Sequence, residues 1–185
     1  MGMRQLFVFD PPERFVVGTV GEPGDRTFYL QARGRGQVVS VALEKTQVTI
    51  LADRLEELLD EVRKRRPAPD SGGAAEPDPD LGPLDTPVEE QFRVGAMGLA
   101  WDGEANRIIV EAQAVTEEPV DESTILEDVD EGPDALRVRM TPAATRSFIE
   151  RARRVIAAGR PPCPLCAMPL DPEGHICPRQ NGYRR

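Results

Sequence analysis

Phe15-Val16-Val17-Gly18-Thr19-Val20-Gly21 and Phe92-Arg93-Val94-Gly95-Ala96-Met97-Gly98 both read F-x-V-G-x-x-G. A turn follows each: Glu22-Pro23-Gly24-Asp25 in the first case, Asp102-Gly103-Glu104-Ala105-Asn106 in the second. Then an arginine opens another apolar run, Arg26-Thr27-Phe28-Tyr29-Leu30-Gln31-Ala32 and Arg107-Ile108-Ile109-Val110-Glu111-Ala112-Gln113-Ala114. Runs rich in β-branched and aromatic residues, broken by Gly, Pro, Asn and Asp, are hairpins. The same hairpin written twice makes the chain a duplication.

Each hairpin is followed by a third strand and a helix. Gln37–Leu43 is β-branched, and Val48, Leu51, Leu55, Leu58, Leu59 and Val62 then recur in steps that put one apolar stripe on a helix. In the second half Ala135–Met140 alternates as a half-buried strand does. Thr141-Pro142 then reads as an N-cap with proline at the first helical position, and Phe148, Ile149, Ala152, Val155 and Ile156 form the stripe. A leading strand at about 4–9 precedes the first repeat. The fold class is therefore α+β. A three-stranded sheet with one helix has a small core, so two such units should bury their apolar faces together. The expected architecture is two β-β-β-α repeats related by a pseudo-two-fold axis, a mainly antiparallel sheet and two helices on one side. The pattern leaves open one continuous sheet or two packed ones. The expected divisions are 1–66 for the first repeat with its leading strand, 67–90 for a linker, 91–158 for the second repeat and 159–185 for a tail.

Charge is unevenly spread along the 185 residues: residues 1–66 carry a net +1, 67–134 a net −17 and 135–185 a net +7. An overall −9 with pI near 4.8 argues against wholesale nucleic-acid binding. Residues 67–90 hold six Pro and three Gly among many acids, the composition of a loosely held link. Residues 117–134 form a second acidic loop, with Ile125-Leu126 and Val129 able to pin it. Neither a secretory signal nor an apolar stretch of ~20 residues is visible, so a cytoplasmic protein with reduced thiols is expected.

All three cysteines and the single histidine fall within fifteen positions, as Cys163, Cys166, His175 and Cys177. Their spacing is C-x₂-C-x₈-H-x-C. Zinc prefers four tetrahedral sulfur and nitrogen ligands, and a tight C-x₂-C turn directs two thiolates at one ion. Four protein ligands leave no open position, so a structural zinc knuckle is expected. Such binding is worth about 10–16 kcal/mol in zinc-finger peptides, enough to fold a segment with no core. A redox C-x-x-C pair normally opens a helix in a βαβ setting; this one follows a helix end and Pro161-Pro162.

The repeat and the tail together resemble an actinobacterial family of proteins of unknown function, domain of unknown function 3090. The stretches that carry the resemblance are R-F-V-V-G-T-V-G at 14–21, R-T-F-Y-L-Q-A at 26–32, V-V-S-V-A-L-E-K at 38–45 and F-R-V-G-A-M-G-L at 92–99. It continues through E-G-P-D-A at 131–135, G-R-P-P-C-P-L-C at 159–166 and D-P-E-G-H-I-C-P-R-Q-N-G-Y-R-R at 171–185. The resemblance implies no established activity.

Other candidates are weaker. Gly18, Gly21, Gly95 and Gly98 lie in or at the ends of strands without the Lys-Ser/Thr of a phosphate loop, so close backbone packing is the expected reason for them. Arg26 and Arg107 occupy equivalent places and would clamp an anion if a pseudo-axis brought them together. Arg63-Lys64-Arg65-Arg66 complements the end of the first helix. Arg151, Arg153, Arg154, Arg160, Arg179, Arg184 and Arg185, with Tyr183, form a basic patch suited to a protein partner or to nucleic acid. The sole histidine is committed to the tail, and most acids lie in polar loops, without the burial that tunes a catalytic group. Glu44 and Glu111 are the acids worth testing. The leading expectation is a non-catalytic, zinc-containing cytoplasmic interaction or scaffold protein with a protein partner and no membrane. The second is an anion- or phosphate-ligand binding protein, or a hydrolase, with its site at the repeat interface near Arg26 and Arg107. The third is a nucleic-acid-associated protein using the basic tail.

Overall fold

The computed structural model describes residues 3–22, 24–65, 80–117, 125–129 and 131–158. Among the described residues seven strands and two helices run in the order β1 (Leu6–Phe9), β2 (Arg14–Val20), β3 (Thr27–Gly34), β4 (Gln37–Leu43), α1 (Lys45–Arg65), β5 (Glu90–Asp102), β6 (Arg107–Ala114), β7 (Ala135–Met140) and α2 (Pro142–Ala157). All seven strands form one sheet of order β1-β7-β6-β5-β4-β3-β2. Pairing is antiparallel within each hairpin meander, and parallel only at β4–β5 and β1–β7.

The two β-β-β-α halves follow one another across the sheet. The sequence repeat equates β2 with β5, β3 with β6 and β4 with β7, and these recur in the same spatial order, with β4 and β5 parallel. The relation is a step of three strands across the sheet. A parallel neighbour needs a crossover connection, and α1 lies in the one between β4 and β5.

The sheet also curls. Six strand spacings at ~4.8 Å would separate the edges of a flat sheet by ~29 Å. Yet edge strands β1 and β2 are joined by residues 10–13 alone, and a link that short spans at most ~17 Å. Phe9 at the end of β1 lies under Gly34 at the end of β3, and Glu13 donates its backbone N–H to the Arg33 carbonyl at 2.8 Å. Both helices share one apolar core with the face of the sheet that carries Val17, Leu30, Val41, Val110 and Val138. α2 contacts β2 at one edge and β6 and β7 toward the other, so it lies across the gap. The rings of Phe15 and Phe148 stack there at 4.6 Å.

Local chemistry sets both helix starts. The Gln47 side chain reaches back to accept the Glu44 backbone N–H at 2.7 Å, half of a capping box. The Thr141 hydroxyl accepts the Ala144 N–H at 3.1 Å, with Pro142 opening the helix. Among the described residues no helix is long and apolar enough to cross a membrane.

Candidate functional site

Strand alternation puts polar side chains on the face away from the helices. Two loops cover that face in matching ways. Leu84 packs on Gly18, where a Cβ would come within 2.5 Å of its side chain, and Asp85 donates its N–H to the Gln31 side-chain oxygen at 2.7 Å. Ile125 packs on Gly98, where a Cβ would collide with it, and Leu126 donates its N–H to Glu111 Oε2 at 2.5 Å. Each loop thus plugs a glycine notch with an aliphatic side chain and satisfies a buried polar group on the middle strand of its half. Residues 80–85 of the segment read from composition as a loose link are therefore pinned to the sheet, while 67–79 lie outside the described residues. The misleading signal was its Pro and Asp content, and the informative one was Leu84, which is 8% exposed. The pin expected at Ile125-Leu126 is present.

Glu111 is wholly buried. Its Oε1 accepts from Arg4 Nη2 at 2.5 Å, and Oε2 accepts from Arg137 Nη2 at 3.3 Å as well as from Leu126. Arg137 also donates to Asp128 at 2.5 Å, and Arg4 to the Pro133 and Glu127 carbonyls. Two guanidiniums thus meet two carboxylates. The Arg137 hydrogen bond holds the Asp128 carboxyl below the usual carboxylate range.

The other buried cation lies at the seam where the curled sheet nearly closes. A groove of about 220 Å³ runs there. Pro11 and Pro12 of the β1–β2 link form one wall, and Phe15 and Val16 of β2 with Phe148 of α2 form another. Met140, Thr141, Ala144 and Ser147 line the end near the start of α2, and Arg14, Asp80 and Arg151 supply most of the charge. Arg151 is 6% exposed. Its Nε donates to the Val17 carbonyl of the edge strand at 2.7 Å, and its Nη1 to the Asp80 and Gly82 carbonyls at 2.6 Å. This bond occupies a carbonyl that an edge strand would otherwise offer to another chain. Among the described residues Nη2 of Arg151 makes no hydrogen bond. Arg14 takes the Asp80 carboxylate, through Nε at 2.5 Å and Nη2 at 3.1 Å. That pairing raises the pKa of Arg14 and holds Asp80 low. Burial, and then the charge of Arg14, pull Arg151 below the usual guanidinium value.

A family model described as "Protein of unknown function (DUF3090)" matches residues 7–177 of the 185. The chain belongs to the DUF3090 family. It matches no curated protein and no solved structure. The match spans both halves, the groove and its linker, and its last residue is Cys177.

In this DUF3090 chain Arg26 and Arg107 are not brought together. Their strands are separated by β4 and β5, roughly 14 Å at the usual strand spacing. Arg26 lies over the Phe28 ring at 4.7 Å, and burial holds its pKa below the usual value. Arg107 donates to the turn carbonyls of Ala105 and Asn106. The cleft at the β4–β5 junction, about 210 Å³, has Asp85 and Glu89 as its charged lining, the wrong sign for an anion. Glu44 pairs with Arg93 at 2.7 Å in an exposed position. Of the basic patch, Arg153 bridges to Asp53 and Glu56 of α1 at 2.7 Å, and Arg154 pairs with Glu150. Arg151 is a buried groove residue and not part of a surface patch. The signal was its place three residues after Phe148, on the apolar stripe of α2. Cys163, Cys166, His175 and Cys177 lie outside the described residues. Among the described residues no three His, Cys, Asp or Glu are placed to hold a metal.

Proposed function

We propose that this DUF3090 protein is a non-catalytic binding module. The groove at the sheet seam is its recognition site, and the tail carries a structural zinc through Cys163, Cys166, His175 and Cys177. The observation that carries the reading is Arg151, a buried guanidinium that lines an open, largely apolar groove and whose Nη2 makes no hydrogen bond among the described residues. Recognition sites pair an apolar lining with a few fixed polar groups in this way. Against an enzyme stands Glu111, the wholly buried carboxylate. Both of its oxygens accept bonds from fixed donors, so it has no access to a substrate proton.

The zinc rests on the spacing of its four ligands and on the family match, which runs to Cys177 and so takes in the whole set. Electrostatics favours a protein partner over nucleic acid, since the chain carries −9 overall. Two measurements test the reading. Zinc content of the chelator-free protein should fall with Cys163→Ser, and equal content rejects the knuckle. Partners recovered from lysate on the full chain should be lost with Ala144→Leu, which fills the groove. Recovery unchanged by that substitution rejects the groove as the recognition site.

A further inference from the structure

We infer that the seam groove binds a carboxylate attached to a short apolar body, with the carboxylate on Arg151 and the body on the Phe15–Phe148 wall. This rests on the groove being the recognition site and names the chemistry it recognises.

The argument begins with charge. Nε and Nη1 of Arg151 donate to carbonyls of Val17, Asp80 and Gly82, which are dipoles and not countercharges. The nearest carboxylate oxygen, Oδ1 of Asp80, is 3.7 Å away and already accepts from Arg14. Asp85 stands 3.4 Å from Arg14 and is bound more closely, at 3.0 Å, by Arg33. Glu13 reaches only Arg33, at 3.9 Å, from a largely exposed position. Among the described residues three guanidiniums therefore share two close acids, and the most buried of them has its nearest carboxylate at 3.7 Å, already bonded to Arg14. A desolvated charge whose counterion is shared is costly. Around Glu111 the described residues match two cations with two acids. Among the described residues the groove is one anion short.

Shape and polarity narrow the ligand. The two N–H groups of Nη2, uncommitted among the described residues, and one missing charge suit a monoanion. A phosphate dianion would bring its second charge against Asp80. The remaining wall is ring and aliphatic surface from Pro11, Pro12, Phe15, Met140 and Phe148. About 220 Å³ accommodates a body the size of one large amino-acid side chain and not a nucleotide. Such a ligand comes from two sources: a free short-chain carboxylic acid, or the C-terminal residue of a polypeptide.

Calorimetric titration of the full chain at neutral pH with hexanoate, N-acetyl-leucine, N-acetyl-leucinamide and inorganic phosphate tests the inference. The expected result is binding of at least one carboxylate, with the amide weaker by about tenfold or more, the scale of a hydrogen bond to a charged group. Ala144→Leu should abolish that binding while the thermal midpoint stays within a few degrees of the wild type. That variant leaves every bond of Arg151 in place, so a loss of binding is not a loss of fold. Stronger binding of hexanoate assigns a free acid, and stronger binding of N-acetyl-leucine a chain terminus. No carboxylate binding, equal binding of the amide, preference for phosphate, or indifference to Ala144→Leu overturns the inference. If carboxylates fail while Ala144→Leu still abolishes partner recovery, the recognition site stands and only its ligand chemistry falls.

Discussion

Glu111 and Arg151 are both buried charges held by long-range contacts, and they are finished differently. Glu111 is completed from within: Arg4 from the N-terminal segment, Arg137 from β7 and a backbone N–H from the covering loop converge on its two oxygens. Arg151 is completed only in part, by three carbonyls and a carboxylate that Arg14 holds more tightly. Burial penalises both charges. Where the chain supplies every partner, the charge fixes architecture. Where it leaves one out beside open space, the charge is available to a ligand.

The largest effect is expected from breaking the completed site. Glu111→Gln leaves Arg4 and Arg137 buried with one acid between them and should cost about 3–5 kcal/mol, read by denaturant unfolding. A cost below about 1 kcal/mol, within the range of exposed pairs, would remove the contrast. Arg151→Met sharpens it: bonds to carbonyls are lost, but so is an undercompensated charge, so the cost should be clearly smaller than that of Glu111→Gln. Next come the notches. Gly18→Ala and Gly98→Ala each force a loop side chain aside, at about 1–3 kcal/mol for overpacking. Gly98→Ala should also hasten proteolysis at 125–129, and unchanged cleavage would mean that Ile125 does not pin the loop.

The smallest effect concerns acid. Arg14 depresses the pKa of Asp80, as Arg139 does for Asp102. A depressed folded-state pKa stabilises the protein above the unfolded value near 4, and that contribution is lost as pH falls through the folded values. The thermal midpoint should therefore fall between about pH 5 and pH 2, and Asp80→Asn should flatten part of the drop. Because Asp80 is partly exposed, added salt should weaken this contribution.

The elements were legible because period and punctuation state them: Val48 to Val62 as a helix stripe, Thr141-Pro142 as a start, Gln37–Leu43 as a strand. Glu111 was legible as an acid among strand apolars. How the halves are related was not, because a repeat states equivalence and leaves the symmetry operator free. The direction of β5 beside β4 depends on the crossover through α1. The groove escaped for a different reason. Its walls come from residues 11–16, 80 and 140–151, and nothing local announces that a four-residue link will draw two sheet edges together. Arg151 carried a signal, a cation on a buried stripe, that the neighbouring arginines masked.

The pairing of β1 with β7 has a consequence for synthesis. Leu6–Phe9 lines up with Ala135–Val138, so β1 docks on a strand made about 130 residues later. During translation Leu6, Phe7 and Phe9 must wait, unpaired and apolar, until most of the chain has left the ribosome. Contacts this distant in sequence form slowly and leave such surface exposed in the meantime. β1 is thus the strand most dependent on β7, and truncations that remove β7 should release β1 first.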